Sequence, residues 1–452
     1  MDYKNLMKNY QSIAIDTLKD VIHINSVYDE ATVNKDMPYG KGVHDVMEYM
    51  NRLALKDGFN VDTCDGHCIE ISYGDGEHVV GIFAHLDVVP VSGDWEYPPF
   101  GAEIHDNKMY GRGTSDDKGP AIAAYYALKA LKDNGLIKGF KVKLVLGGDE
   151  ERGSSCLDYY FHVLKKKDVT YGFTPDGDFP LIYGEKGIRD YYYEGKCDLS
   201  PIIEIKAGVA PNAVIDSAIV TLKDGQKLKE YLVNKDINYK ILKEDKNILE
   251  VEFIGISAHG STPELGVNSG LIMLKTVGEC YNIPLFNKLY NLYKDPNGRD
   301  LDAFYESKFL GVTTYNVGMI SYKDGDFKFV VNFRYPENVN SDEVIDKIGK
   351  LLDLPIHKNQ AQPVVYFNPE TTPFILALEK VYVDETHDTK NKPMAIGGGT
   401  YAKEAKNIVA FGSHFPGKED RIHGANEKID LEDFYLSMPL YAHAIVELGK
   451  LK

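Results

Sequence analysis

Hydrophobic positions recur at helical spacing twice before the first strand-like run. Leu6, Tyr10, Ile13, Leu18 and Ile22 mark one amphipathic helix, and Val43, Val46, Met47, Met50 and Leu53 mark a second that Gly58 closes. The period then shortens. Val79 to Ala84 is a continuous apolar run between the turn formers Gly74, Asp75 and Gly76 and the later Pro90, the pattern of a buried strand. Two polar residues interrupt its end, His85 and Asp87. Side chains two apart on a strand share a face, so this pair is predicted to point one way at the carboxyl end, the usual ligand side of an open α/β sheet. Helical spacing returns with Ile122, Tyr125, Leu128 and Leu131, opened by Gly119-Pro120 and ended by Gly135. Phe140 to Leu146 reads as the next strand and runs into Gly147-Gly-Asp-Glu-Glu-Arg-Gly153. The short apolar segment at Tyr171 likewise runs into a turn with Asp176 and Asp178. Acidic residues thus follow predicted strand ends repeatedly.

From Gly187 the texture changes to alternating runs, Ile188 to Tyr193, Ile248 to Ile254 and Phe327 to Phe333, separated by helical stretches expected near Ser217 to Leu232 and Ser269 to Tyr281. This predicts an α+β insertion over residues 187–365 within a domain made of residues 1–186 and 366–452. Helical periodicity resumes in Pro373 to Val383, followed by the run Ile408 to Gly412 and a last helix within Leu431 to Leu448.

Composition narrows the function classes. A chain of 452 residues can bury substantial cores in two to three domains. Its formal charge of −17 argues against a polyanion-binding surface, so nucleic acid is not an expected partner. No stretch approaches the roughly 18 apolar residues of a membrane span, and the N-terminus lacks an apolar leader; the expectation is a soluble cytoplasmic protein. Five cysteines, few and odd in number, fit reduced thiols, and Cys64-x3-Cys68 lacks a second ligand pair. Asp295-Pro-Asn-Gly-Arg-Asp300 resembles a calcium loop, but its glycine falls at loop position 4 instead of 6, and Arg299 takes a ligand position.

Each polar cluster has an ordinary explanation: a hydrogen-bonded His–Asp pair, a helix cap at Ser115-Asp-Asp117, a solvated Asp-Glu-Glu loop. Together, His85, Asp116, Glu151 and Asp176 at strand ends or loops, with a histidine much later, make the mixed oxygen and nitrogen set that zinc, manganese or cobalt favours.

The motifs His85-Leu-Asp87, Gly111-Arg-Gly-Thr-Ser-Asp-Asp-Lys-Gly119, Asp149-Glu-Glu151, Thr174-Pro-Asp176, Ser257-Ala-His-Gly-Ser-Thr-Pro263, Asn332-Phe-Arg334, Gly397-Gly-Gly-Thr400 and His423-x-x-Asn-Glu427 stand in one order along the chain. In that order the sequence resembles the M20 metallopeptidases, and especially their dipeptidase V branch. The resemblance implies an α/β catalytic domain with a mixed, mainly parallel sheet flanked by helices, of phosphorylase/hydrolase-like type, interrupted by the insertion as a lid. It implies two divalent metal ions, zinc or manganese with cobalt as a further candidate, one on His85 and Asp176, the other on Glu151 and His423, bridged by Asp116. It also implies Glu150 as general base and Asp87 as the clamp of His85. His259, Arg334, Asn212 and Gly398 are the implied substrate-binding residues, with His259 at the oxyanion and Arg334 on a substrate carboxylate. The residues after Asn212 and after His423 depart from the family's usual ones. The implied function is a monomeric dipeptidase acting on small peptides. The alternatives are a deacylase or carboxypeptidase acting on N-acyl amino acids, and, more remotely, a non-catalytic peptide-binding protein.

Overall fold

The structure, a computed structural model, describes residues 1–233, 235–352, 354–419 and 422–451. The chain divides into two compact units: residues 1–184, 367–394 and 399–452 form one, and residues 185–366 with 395–398 form the other.

The first unit is built on a mixed sheet. Its strands run in the order Asn60–Asp62, Cys68–Gly74, Lys141–Gly147, Val79–His85, Tyr171–Thr174, Ile408–Ala410 and Ile182–Glu185. The four central strands are parallel, while pairings toward both edges are antiparallel. The sheet is thus mixed, as expected, with its parallel pairings at the centre. Val80, Ile82, Phe83, Ala84, Val142, Leu144 and Val145 are fully buried, as central strands covered on both faces require. Register aligns the strand ends: His85 pairs with Gly147, and Thr174 with Ala410. Close approach demands glycine where Gly81 meets Gly172, because a Cβ on Gly172 would lie 2.2 Å from the Gly81 carbonyl oxygen.

The helix Lys118–Asp133 packs on this sheet and against the last helix, Leu431–Lys450. Ala121 to Leu128 are all buried, the all-round apolar character of a core helix. The amino-terminal stripes form Gln11–Ile22 and Lys41–Lys56, with shorter helical turns from Tyr3 to Tyr10.

The second unit has an antiparallel sheet in the order Tyr239–Glu244, Ile248–Ile254, Ser217–Lys223, Ile202–Ala207, Thr314–Lys323, Asp326–Tyr335, Gly187–Lys196 and Ile356–Lys358. Helix Ser269–Tyr281 packs on it, and Met273, Leu274 and Val277 join its apolar core. One expectation fails here. Ser217–Lys223 is a strand and only Gln226–Leu232 is helical. Ala218, Val220 and Leu222 alternate inward at period two, and the intervening Ile219 and Thr221 are β-branched, so sheet pairing overrides the helical reading.

Candidate metal centre

The aligned strand ends deliver the polar residues to one place in the first unit. His85 is the last residue of its strand, and Asp149, Glu150 and Glu151 follow directly after Gly147 and Gly148 on the neighbouring strand. Asp176 lies two residues beyond Thr174, and Asp116 lies two residues before the Lys118–Asp133 helix. His423 arrives from a segment without regular structure, at a positive φ of 61°.

The donors fall into two groups that share Asp116: His85, Asp116 and Asp176, and Asp116, Glu151 and His423, with ligand atoms within 4.8 Å in each. One Asp116 oxygen lies 3.0 Å from His85 Nε2 and the other 2.9 Å from His423 Nε2. Asp176 is 3.8 Å from His85 Nε2, and Glu151 is 3.1 Å from His423 Nε2. Hydrogen bonds to Asp116 and Glu151 raise His423 to about 10. Burial opposes ionisation of Asp116, but His423 and His85 hold it well below the usual carboxylate range. Burial lifts Glu150 and Glu151 above that range, and the neighbouring carboxylates add to it.

These residues suit divalent cations. Glu151 Oε1 is buried with no hydrogen-bond partner, and carboxylates outnumber the two imidazoles, an excess of negative charge that cations offset. The oxygen and imidazole donors are those of divalent-metal sites.

Neighbouring residues fix these groups. His85 Nδ1 lies 3.0 Å from the Asp87 carbonyl oxygen and 3.5 Å from its carboxylate. The Asp87 carboxylate makes shorter bonds elsewhere, accepting from the Glu150 and Glu151 main-chain N–H groups at 3.1 Å each. Asp87 thus orients His85 chiefly through its backbone, and its side chain pins the Glu150–Glu151 turn. Asp117 belongs to neither donor group; its Oδ2 accepts the His85 main-chain N–H at 3.0 Å. One residue given no part from sequence packs against the cluster. Tyr401 is fully buried, its ring edge-on to His85 with centroids 6.1 Å apart and its hydroxyl 3.0 Å from Cys156 Sγ. Its position directly after Thr400 of the glycine run is the one sequence signal that singles it out.

In the second unit, Asn212, His259, Gly397 and Arg334 lie in one neighbourhood. The Asn212 carbonyl accepts from Gly260 N at 2.7 Å, and Ala213 bridges to His259. Exposed His259 contacts Ser261 Oγ through Nδ1 at 2.6 Å, and a Cβ on Gly397 would sit 2.5 Å from Ser261 Cβ. Arg334, only 3% exposed, donates from Nη1 to the Gly397 carbonyl and from Nε to Asn332 Oδ1 at 2.8 Å. Gly397 and Gly398 cluster with residues 185–366: Arg334 holds this glycine run, and Lys186 N donates to the adjoining Ile396 carbonyl at 3.1 Å. The calcium-like loop is self-satisfied: Asp295 accepts from the Arg299 main chain at 2.8 Å and from its guanidinium at 3.3 Å.

The model of peptidase family M20/M25/M40 matches residues 81–447. A Bacillus subtilis (strain 168) protein described as "Putative dipeptidase YtjP" is 33% identical over 457 residues, covering 96% of each chain. A Staphylococcus saprophyticus protein described as "Putative dipeptidase SSP1012" is 32% identical over 472 residues, with 99% of each chain covered. Among solved structures, the M20 family metallo-carboxypeptidase Sso-CP2 of Sulfolobus solfataricus shares the fold at a TM-score of 0.60 and 18% identity, over 97% of this chain and 99% of that one. Human carnosine dipeptidase 1 does so at 0.58 and 16%, over 99% and 98%.

Proposed function

Because the chain belongs to peptidase family M20/M25/M40, we propose that it is a dipeptidase that hydrolyses the amide bond of short unblocked peptides with two divalent cations, zinc or manganese, cobalt being a further candidate. The observation that carries this reading is Asp116, whose two carboxylate oxygens face the two different histidines at 3.0 and 2.9 Å. His85 and Asp176 would hold one ion and Glu151 and His423 the other, with Asp116 shared by both donor groups. Cations bound there would supply Lewis acidity and lower the pKa of a bound water. Glu150, with its main chain fixed by Asp87, takes the water proton and passes it to the leaving amine. Burial lifts the Glu150 carboxyl above the usual carboxylate range, which makes it a stronger base once ionised.

The second-unit cluster handles the substrate. His259 donates toward the developing oxyanion, Arg334 recognises the free carboxylate, and Asn212 and Gly398 line the same neighbourhood. The relatives described as dipeptidases support this substrate class. The reading extends to a cytoplasmic monomer with residues 187–365 as the lid. The five cysteines, all present as thiols, fit a reducing compartment. Among the described residues no helix is long and apolar enough to cross a membrane.

The test is to strip the protein of metal, restore zinc, manganese or cobalt, and assay dipeptides, tripeptides and N-acyl amino acids. Metal-dependent cleavage of dipeptides is expected. Hydrolysis confined to N-acyl substrates would overturn the assignment, and an oligomer by sedimentation would overturn the monomer.

A further inference from the structure

A buried ion pair joins the two loops that bring Asp116 and His423 to the site. Arg112 and Glu427 are 315 residues apart in sequence, 1% and 0% exposed, and Arg112 Nη1 donates to Glu427 Oε2 at 2.7 Å. The second Glu427 oxygen accepts three main-chain N–H groups of the Asp116 loop: Gly113 at 3.0 Å, Ser115 at 2.9 Å and Asp116 itself at 3.2 Å. The second arm of the Arg112 fork donates from Nη2 to the His423 carbonyl at 3.2 Å. Glu427 therefore grips the backbone of Asp116, and Arg112 grips the backbone of His423.

Other contacts tie the same segments together. Gly111 N donates to the Glu427 carbonyl at 2.9 Å, and Ser115 Oγ donates to the Lys428 carbonyl at 2.7 Å. A third segment joins them: Arg112 N donates to the Pro99 carbonyl at 2.7 Å, Glu96 N donates to Asn426 Oδ1 at 2.7 Å, and the Arg112 guanidinium lies 5.4 Å from the ring centre of Trp95. Trp95 is the only tryptophan in the sequence.

A buried ion pair contributes little net stability over apolar residues of the same volume, so geometry is the better account of this one. His423 needs outside help, since its side chain is 53% exposed and it sits at a positive φ on a segment without regular structure. His85 is different: it is fully buried at the end of a central strand.

We propose that Arg112 and Glu427 are positioning residues that preset the Asp116–Glu151–His423 side of the centre, so that breaking the pair weakens the ion on that side more than the other. The inference rests on the two-ion reading above. Titration of metal-stripped protein with zinc, followed by calorimetry and by Trp95 emission, separates the two. Wild type should bind two ions. Glu427→Gln, which keeps the shape but removes the charge, should weaken the His423-side ion about 10- to 100-fold and the other ion less, through the shared Asp116. Arg112→Lys, whose single-point head cannot hold both Glu427 and the His423 carbonyl, should weaken the His423-side ion to a smaller degree. If Glu427→Gln fails to fold by circular dichroism, Arg112→Lys decides by the same measure. Two ions at wild-type affinity in the folded variants, or equal weakening of both ions, would overturn the inference alone. Fewer than two ions in the wild type would overturn it together with the two-ion reading.

Discussion

Glu150 and Arg334 carry the sharpest expectations for single side chains. Glu150→Ala should lower kcat by at least about 10²- to 10⁴-fold, the usual contribution of a general base, with metal content by elemental analysis unchanged. Loss of metal alongside activity would mean that Glu150 holds the site together instead. Arg334→Ala should raise KM about 10- to 100-fold for a dipeptide with a free carboxylate, the worth of a charge-assisted hydrogen bond, and less for its amide. Equal damage to both substrates would reduce Arg334 to its observed contacts with Asn332 and the Gly397 carbonyl. At this scale residue type and strand-end position made His85, Asp116, Glu151 and Asp176 legible in the sequence as possible ligands. The part played by the Asp87 carboxylate was not, because the N–H groups it binds lie 63 and 64 residues away.

Strand ends and the turns after them are where the elements bear on function. A Cβ on Gly147 would lie 2.0 Å from the Tyr401 hydroxyl and 2.9 Å from Cys156 Sγ, both in a filled core. Gly147→Ala should therefore cost about 1–3 kcal/mol of stability by denaturant unfolding, as overpacking does. It should also lower metal content, since Asp149 to Glu151 follow two residues later; unchanged stability would mean that Tyr401 moves aside freely. The apolar runs at Val79–His85 and Lys141–Gly147 were legible because central strands need unbroken hydrophobic stretches. Ser217–Lys223 was misread because seven residues offer too little length to separate a period of two from one of 3.6, and pairing with Ile248–Ile254 settles the matter.

For the molecule as a whole, acid stability should depend on a buried cluster that joins two strands and a helical turn of the first unit. Glu70 accepts from the Tyr160 hydroxyl at 2.6 Å and from Lys143 Nζ at 3.1 Å, with Lys166 Nζ 3.5 Å away. Burial pushes the Glu70 carboxyl up, but Tyr160 and the two lysines outweigh it and hold it below its ordinary 4.5. In that window the unfolded chain binds more protons than the native one. The stability this group contributes is therefore present above pH 4.5 and lost as pH falls through the lower folded value. Glu70→Gln should cost about 3–5 kcal/mol at neutral pH, as removal of one partner of a buried pair does, and should flatten the acid limb of the stability curve. An unchanged acid limb would assign acid unfolding to other carboxylates. The sequence by itself determined the alternation of elements, the residue types able to bind metal and the presence of an insertion, because periodicity and composition are local properties of a chain. Only the tertiary structure decided that Asp116 faces both histidines, that the Asp87 side chain serves the Glu150–Glu151 turn, and that Arg112 and Glu427 join loops 315 residues apart. Those relations depend on which strands lie side by side and in what register, and a linear pattern does not encode either until the chain has packed.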